Sequence, residues 1–389
     1  MDIRRLPLWE GRNATIMNNG EINAVIEDQG EVMLELSNQV RSGARVNPLA
    51  IPYFRGFGSG VLSDPNGSWY SMKETLYQAG GSYFTFPYPS EDRITSNNTY
   101  WMVRRYGTEA LHGGVWRLSS MKSREEGNRY ELEKLDYLAP DTPFVYTLLN
   151  IRNNGDEVLD ASPAMNSMLS FPFLESGDFI NTNARHFTCY SRGVRELAEN
   201  RFKPGVVFED LKKAPLLSGG CADASVTPSP TGSYDYILGK IPSNERLGWI
   251  TVTNPRSMSV YMSFTTSFGD VGVYDLENVS ITENYLGRID APWALFDGGT
   301  SQVYSLTVGF NSGPKGTRHM HLEGHQEAKI LYANGYFNYE NPRISLGFYS
   351  CDIADDAFTF KRTKSTMRVN ADTSFSRIRE LYKNLSSGE

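Results

Sequence analysis

Apolar and polar residues alternate with a period of two through most of this sequence. Because successive side chains of a β-strand point to opposite faces, such alternation indicates strands with one face in a core. Asn19-Gly20 and Gln29-Gly30 are turn signals that divide residues 14–36 into three strands folding back on one another. Further runs lie at 114–121, 129–135, 143–152, 234–239, 258–267 and 301–310. Many short strands joined by glycine- and proline-rich turns predict an all-β sandwich or barrel.

Helical periodicity is scarce. The spacing of apolar residues predicts short helices at 191–200 and 322–333 and a longer helix at 373–386. Thr373 or Ser374 is suited to cap the first turn of the longer helix, because a hydroxyl can accept a free backbone N–H there.

The length of 389 residues is enough for two average domains or for one large sandwich with an extension. A loop-like stretch at 214–233 separates two halves rich in strands, and it fits either a linker or a long loop within one sandwich. We predict a sandwich domain over residues 1–312. Residues 313–389 are predicted to form a C-terminal extension that packs on the sandwich and ends in the helix.

Charge and cysteine usage narrow the class of protein. The net charge is -7 and the sequence has no basic run, which argues against a nucleic-acid partner. The three cysteines are odd in number and widely spaced, which favours a reducing cytoplasm over a disulfide framework. The N-terminal segment lacks the apolar stretch of a secretory signal, and no apolar run approaches 18 residues, so we expect neither secretion nor a membrane partner.

Motifs for cofactors are missing from the sequence. It contains no Walker loop, no GxGxxG after a strand, no HExxH and no GxSxG. His319, His321 and Glu323 would share one face of a strand and could in principle bind zinc. Because the stretch has no fixed ligand spacing, we favour a polar loop there and predict neither a metal nor a cofactor.

Four stretches carry a resemblance to a known family when they are taken in order. They are the hairpin at 15–36, the segment Gly80-Gly81-Ser82-Tyr83-Phe84-Thr85-Phe86-Pro87, the segment Leu111-His112-Gly113-Gly114-Val115-Trp116-Arg117, and Ser280-Ile281-Thr282-Glu283-Asn284 followed by Asp297-Gly298-Gly299. In this order they resemble the galactose mutarotase-like family, which comprises the aldose 1-epimerases and their hexose-6-phosphate relatives. The likeness covers roughly residues 12–312 and implies a large antiparallel β-supersandwich.

The resemblance also implies a reaction and a set of residues. An aldose 1-epimerase interconverts the α and β anomers of a hexose or hexose phosphate by general acid/base ring opening, without a cofactor. Glu283 is implied as the base, and His112 as the acid or the donor to the ring oxygen. Arg117 is implied as a group that binds sugar hydroxyls or a phosphate, and Asp235 as one that binds sugar hydroxyls. Arg55 is a further candidate for a polar contact with the sugar. For each residue an ordinary alternative stays open, namely a salt bridge for the charged residues and a turn histidine for His112.

One departure from the family bears directly on function. The family usually carries a second histidine on a central strand, but residues 165–173 contain none, and Ser170 or a neighbour takes its place. His186 could supply the acid if its loop folds inward. Two hypotheses therefore stand, an epimerase and a non-catalytic sugar-binding or sensing protein on the same scaffold. A lyase or hydrolase is disfavoured because no pair of carboxylates is evident. The expected partner is a monosaccharide or sugar phosphate, and the expected state is a monomer or homodimer.

Overall fold

Strands make up most of the computed structural model. It describes residues 1–9, 12–28, 30–39, 45–50, 80–86, 101–122, 130–191, 200–266, 272–286, 304–313 and 320–387. In chain order the strands are β1 (Asp2–Trp9), β2 (Arg12–Asn18), β3 (Ile22–Glu27), β4 (Met33–Gln39), β5 (Arg45–Val46), β6 (Ser82–Thr85), β7 (Met102–Thr108), β8 (Val115–Lys122), β9 (Tyr130–Leu138), β10 (Phe144–Asn153), β11 (Leu159–Ala161), β12 (Ala164–Ser170), β13 (Phe179–Thr182), β14 (Arg185–Tyr190), β15 (Val207–Phe208), β16 (Ala214–Pro215), β17 (Cys221–Ala222), β18 (Ser233–Lys240), β19 (Leu247–Asn254), β20 (Ser259–Thr266), β21 (Asn278–Tyr285), β22 (Tyr304–Asn311), β23 (Met320–Leu322), β24 (Glu327–Asn338), β25 (Ser350–Ala354), β26 (Ala357–Arg362) and β27 (Ser365–Asn370).

Two large antiparallel sheets organise these strands. The larger sheet has twelve strands in the order β1-β2-β3-β4-β6-β12-β22-β21-β18-β14-β15, with β5 paired to β4. The smaller sheet has eight strands in the order β13-β19-β20-β24-β10-β9-β8-β7. Three minor sheets accompany them: β25-β26-β27, β11-β23 and β16-β17. The predicted all-β antiparallel sandwich is therefore confirmed.

The smaller sheet is buried on both faces. On β10, Val145 and Ile151 point into a core shared with the larger sheet, whereas Phe144 and Tyr146 point into a second core. The minor sheet β25-β26-β27 and the C-terminal helix α1 (Ser376–Ser387) supply the other side of that second core. Because both faces are covered, the central strand β24 carries a continuous apolar run at residues 330–333 rather than an alternating pattern.

This burial explains one wrong prediction. The helix expected over 322–333 is instead the end of β23 and the start of β24, and residues 330–337 of β24 are all buried. A short apolar run that is buried on both sides cannot be distinguished from a buried helix by periodicity. The predicted helix at 191–200 lies mostly outside the described residues.

The C-terminal helix was predicted at nearly the right place. Its first turn is capped by Asp372, whose carboxylate accepts the backbone N–H groups of Ser376 and Arg377, rather than by Thr373 or Ser374. Two short 3₁₀ helices, Leu211–Lys213 and Pro342–Leu346, complete the helical structure in the described part of the chain. Within that part, no helix is both long and apolar enough to cross a membrane.

The position of β24 bears on the predicted boundary at 312/313. This strand lies between β20 and β10 in the middle of the smaller sheet, in register with β10 from Phe144↔Gly335 to Arg152↔Glu327. Residues 327–338 thus form part of the smaller sheet, and the sheet β25-β26-β27 and α1 follow them.

Gly309 lets β22 pair closely with β12. A Cβ atom at this position would lie 1.8 Å from the carbonyl oxygen of Met165, a backbone atom that cannot move aside. We expect Gly309→Ala to lower the free energy of unfolding by at least about 1–3 kcal/mol, as measured by urea denaturation. Gly107→Ala is the matched control, since the nearest atom there belongs to a side chain, Trp116, at 3.4 Å. Equal stability of the two variants would contradict this account of the pairing.

Candidate active site

Two acidic residues lie side by side on adjacent strands of the larger sheet. Asp235 of β18 is directly opposite Glu283 of β21 in the antiparallel register. Side chains opposite one another project from the same face with their Cβ atoms about 4.5–5.5 Å apart. Both residues are buried, with 0% and 1% of their surface exposed. The sheet therefore places two carboxyl groups together in a region closed to water.

Arg201 neutralises part of this pair. Its Nη2 donates to Oε2 of Glu283 at 2.7 Å, and its Nε lies 3.9 Å from Oδ2 of Asp235. The guanidinium rests 4.2 Å from the centre of the Phe202 ring and 6.0 Å from that of Tyr285. The Arg201 side chain is 15% exposed, so it lies between the carboxyl groups and solvent.

The two carboxyl groups differ in their hydrogen bonds. Oδ1 of Asp235 accepts the backbone N–H groups of Arg201 and Phe202 at 2.9 and 3.0 Å, and the side-chain amide of Asn200 at 3.2 Å. Glu283 accepts a hydrogen bond from Arg201 only, among the described residues. Donors favour the charged form of an acid, so Asp235 is the better stabilised carboxylate of the two.

Several buried polar atoms around the pair have no hydrogen-bond partner among the described residues. We call the residues that carry them the carboxyl cluster, and the atoms are Oδ1 of Asn200, Nε of Arg201, Oδ2 of Asp235, Oε1 of Glu283 and the hydroxyl of Tyr285. A buried polar group without a partner costs roughly 1–3 kcal/mol. Five such atoms at one place indicate a site that accepts hydroxyl groups from water or from a ligand.

The surroundings shift the pKa values of both acids upward. Burial raises the pKa of Glu283 to about 8, and the charge of Asp235 adds to this effect while Arg201 opposes it. Burial also raises the pKa of Asp235, against the opposing hydrogen bonds from Phe202 and Asn200. Two adjacent carboxylates also repel each other, which favours a protonated form of the pair.

The row of residues that crosses the sheet at Glu283 contains no histidine. Glu283 is opposite Leu306 of β22, and Leu306 is opposite Leu169 of β12. Both leucines are fully buried. Ser170, the residue expected near the missing histidine, is opposite Ser305 and so points to the other face of the sheet.

His112 does not lie beside Glu283. It follows β7 at the edge of the smaller sheet, in the turn that leads to β8. Its backbone N–H donates to Glu109 at 2.6 Å, and its Nε2 is 4.0 Å from Glu380 of α1. Since α1 covers the outer face of the smaller sheet, the structure separates this imidazole from the carboxyl cluster in the larger sheet.

Arg117 also lies elsewhere, in an ion network between the sheets. It is fully buried, forms ion pairs with Glu31, Asp28 and Asp136, and donates to the hydroxyl of Thr15 at 3.2 Å. Its partners belong to β2, β9 and the β3–β4 turn. From β3 to β21 there are five strand spacings, or roughly 24 Å at about 4.8 Å each. The guanidinium of Arg117, which was predicted to bind a sugar, is therefore paired with these carboxylates.

The other residues that the sequence suggested for the site are Arg55 and four histidines. Arg55 and His319 lie outside the described residues. His186 is exposed and pairs with Glu209 at 2.7 Å rather than turning inward. His321 and His325 pair with Asp160 and Asp156. No group of three histidine, cysteine or acidic residues in the described part of the chain could hold a metal ion.

Of the predicted site residues, the structure brings together Glu283 and Asp235. It adds Arg201, Asn200 and Tyr285, which sequence reasoning missed. Asn200 and Arg201 carry no motif, and their hydrogen bonds to Asp235 and Glu283 place them at the pair. Tyr285 follows the stretch 280–284 on β21 and lies on the same face as Glu283. The paired carboxyl groups that the sequence seemed to lack are present, because residues 48 positions apart in the chain lie on adjacent strands.

Comparisons with known proteins agree on the architecture. No protein-family model matches the chain, and no curated protein matches it. Among solved structures, a galactose mutarotase-like protein from Clostridium acetobutylicum matches with a TM-score of 0.57 and 12% identity, over 87% of this chain and 99% of that one. A protein from Klebsiella pneumoniae predicted to be an aldose 1-epimerase matches with a TM-score of 0.54 and 10% identity, over 84% and 79%.

A third solved structure extends the comparison to a larger protein. A TPR-domain containing protein from Parabacteroides distasonis matches with a TM-score of 0.56 and 11% identity, and this chain covers 48% of it. Sequence identities this low support a shared fold and do not assign an activity. Strand content, sheet topology and these matches agree, and the chain therefore has the galactose mutarotase-like fold.

Proposed function

We propose that this protein interconverts the α and β anomers of a hexose or hexose phosphate, as an aldose 1-epimerase does. The observation that supports the proposal is the carboxyl cluster, in which Asp235 and Glu283 share one face of the sheet and each keeps an unpartnered oxygen. The three cysteines are free, which fits the cytoplasmic location that forms part of the proposal.

The reaction needs two proton-transfer groups at one anomeric centre. A base takes the proton of the C1 hydroxyl while an acid protonates the ring oxygen, and the C1–O5 bond breaks. The free aldehyde group rotates, and ring closure reverses both transfers. Each positioned group contributes typically 10²–10⁴-fold to the rate.

Asp235 and Glu283 can supply both groups without a histidine. The pair carries one proton near neutral pH, so one member accepts a proton while the other donates one. The proposal assigns the proton donor to Glu283, since burial raises its pKa to about 8 and fewer donors stabilise its charge than that of Asp235. In the closing step the roles are exchanged, and the pair returns to its starting state.

The sugar must reach the pair past Arg201. This side chain is the partly exposed member of the cluster, and it bonds to Glu283 directly. In the proposal a sugar hydroxyl takes over the hydrogen bond to Glu283, and the guanidinium turns to bind neighbouring hydroxyl groups.

NMR saturation transfer between the α and β anomers tests the proposal. The substrates are glucose, galactose and their 6-phosphates, each measured against buffer. We expect exchange to be accelerated for at least one of them. Measurable sugar binding without acceleration would instead support the non-catalytic sugar-binding protein, a reading favoured by the leucines on the Glu283 row.

Asp235→Asn is expected to lower kcat by about 10²-fold or more, because the amide cannot accept the proton. The variant keeps the size of the side chain and an acceptor for the N–H groups of Arg201 and Phe202. If Asp235 only binds a sugar hydroxyl, KM will rise while kcat stays unchanged. Asp210→Asn, at an exposed turn, is the matched control.

A further inference from the structure

A groove of about 540 Å³ lies between α1 and the outer face of the smaller sheet, away from the carboxyl cluster. Its floor is apolar, formed by Leu148, Leu331 and Val273, and Tyr382 of α1 forms part of one wall. We call it the helix groove. Its volume lies within the range of small-molecule sites, about 300–1,000 Å³.

Positive charge dominates the lining of the helix groove. Four cationic side chains line it: Arg152, Lys329, Arg379 and Lys383. Glu327 is the one acid among the described lining residues. Glu133 lies nearby and accepts the hydroxyl of Tyr382 at 2.7 Å. This excess of cations occurs in a chain of net charge -7, so composition does not account for it. A cleft lined by one sign of charge concentrates ions of the opposite sign.

Two of the cations are held in place before any ligand arrives. Glu327 accepts from Lys329 at 3.0 Å and from Arg152 at 3.3 Å. Glu133 also acts on Arg152 electrostatically, so these two carboxylates offset the charges of Arg152 and Lys329. The excess of positive charge in the lining therefore comes from the cations of α1. On the wall formed by α1, Lys383 is exposed and brings its charge to the rim.

The groove also offers surfaces for an uncharged ring. Nζ of Lys329 lies 5.9 Å from the centre of the Tyr382 ring, so cation and aromatic face line the same space. Val273 and Tyr382 are partly exposed and supply the apolar surface, while Leu148 and Leu331, paired across β10 and β24 and each 1% exposed, close the bottom of the groove. Inorganic phosphate would use the cations alone, whereas a phosphorylated ring compound would use the floor and Tyr382 as well.

We propose that the helix groove is a second ligand site, which binds a phosphorylated small molecule with a ring, such as a sugar phosphate. The phosphate lies among Arg152, Lys329 and Lys383, and the ring lies over Val273 beside Tyr382. Binding relieves the repulsion among the cations. The site is independent of the anomer exchange proposed for the carboxyl cluster.

Isothermal titration calorimetry with glucose 6-phosphate, glucose and inorganic phosphate tests the proposal at low ionic strength. The variant is the double substitution Arg152→Gln/Lys383→Gln, which removes one exposed cation from each side of the groove. The control is Lys203→Gln/Lys213→Gln, which removes two exposed cations elsewhere. Using the Glu283→Gln background removes the proton-transfer group of the carboxyl cluster from every sample.

We expect the groove variant to bind glucose 6-phosphate at least about tenfold more weakly than the control, a loss that rises as salt is lowered. Thermal unfolding of both proteins checks that neither substitution disturbs the fold. Equal affinity in the two variants would overturn the site. Equal affinity of the parent for phosphate and for glucose 6-phosphate would overturn the ligand class. Anomer exchange is measured separately on proteins that retain Glu283, where the groove variant is expected to match the parent, so failure here is distinct from failure of the proposed function.

Discussion

Glu283→Gln is expected to lower the rate of anomer exchange by about 10²- to 10⁴-fold, with the sandwich intact. Glutamine has the same shape and can still accept a hydrogen bond from Arg201, but it neither releases nor takes up a proton. NMR saturation transfer on the best substrate measures the rate, and calorimetry measures sugar binding, which should change little. Glu209→Gln, an exposed carboxylate that pairs with His186, is the matched control. Full activity in Glu283→Gln would show that the proton-transfer group lies elsewhere.

The same variant has a readout that does not depend on activity. The pKa of Glu283 is about 8 in the folded protein against an ordinary 4.5. Between those values the folded chain keeps a proton that the unfolded chain has released, so this group makes stability fall as pH rises from about 4.5 to about 8. Glu283→Gln removes that contribution and should flatten the dependence. Asp178, whose pKa burial also raises to about 8, contributes with the same sign and remains in the variant.

Urea denaturation at pH 5 and pH 8 measures this effect. The difference in unfolding free energy between the two pH values should shrink in Glu283→Gln and stay as in the parent in Glu209→Gln. An unchanged difference would mean that Glu283 is ionised at pH 5 in the folded protein. The paired carboxyl groups would then hold no proton to donate.

Arg117→Met is expected to lower the free energy of unfolding by about 3–5 kcal/mol. Arg117 is fully buried and neutralises carboxylates from both sheets, Glu31 from the larger sheet and Asp136 from the smaller. Methionine fills much of the same volume, so the loss reports buried charges without a partner. Arg4→Met, in an exposed pair with Asp2, is the control and should cost little.

Activity separates this structural role from the sugar-binding role that the resemblance implied. The β3–β4 turn that supplies Glu31 and Asp28 to Arg117 lies about five strand spacings along the larger sheet from β21. A folded Arg117→Met protein should therefore exchange anomers at the parental rate below its unfolding temperature. A raised KM at parental stability would restore the sequence prediction. A destabilised protein with parental KM and kcat would support the ion network.

The fold was predictable because its signals are local. The period of two and the turn at Asn19-Gly20 specify strands through positions that are neighbours in the chain. The helix expected at 322–333 failed for a reason of context. Burial on both faces of β24 erases the alternation that would have identified a strand.

The candidate site was predictable only in part, because its geometry comes from long-range pairing. Glu283 and Asp235 could be proposed one at a time, yet their adjacency follows from the register of β18 with β21. No sequence motif marks Arg201, because its position depends on how residues 200–202 fold over the two carboxyl groups. Arg117 was predicted to bind sugar because an arginine after a glycine-rich turn suits ligand binding. The sequence does not reveal the three carboxylates that face this arginine in the fold.

The position of β24 between β20 and β10 means that the smaller sheet can be completed only late in synthesis. Synthesis delivers β10 and β20 long before it delivers the strand that joins them. Until residues 327–338 emerge, both neighbours have open backbone edges, which are prone to pairing with other chains. A nascent chain of this protein is therefore expected to need shielding by chaperones until β24 is made, and a premature stop before residue 327 should yield aggregates rather than a smaller folded domain.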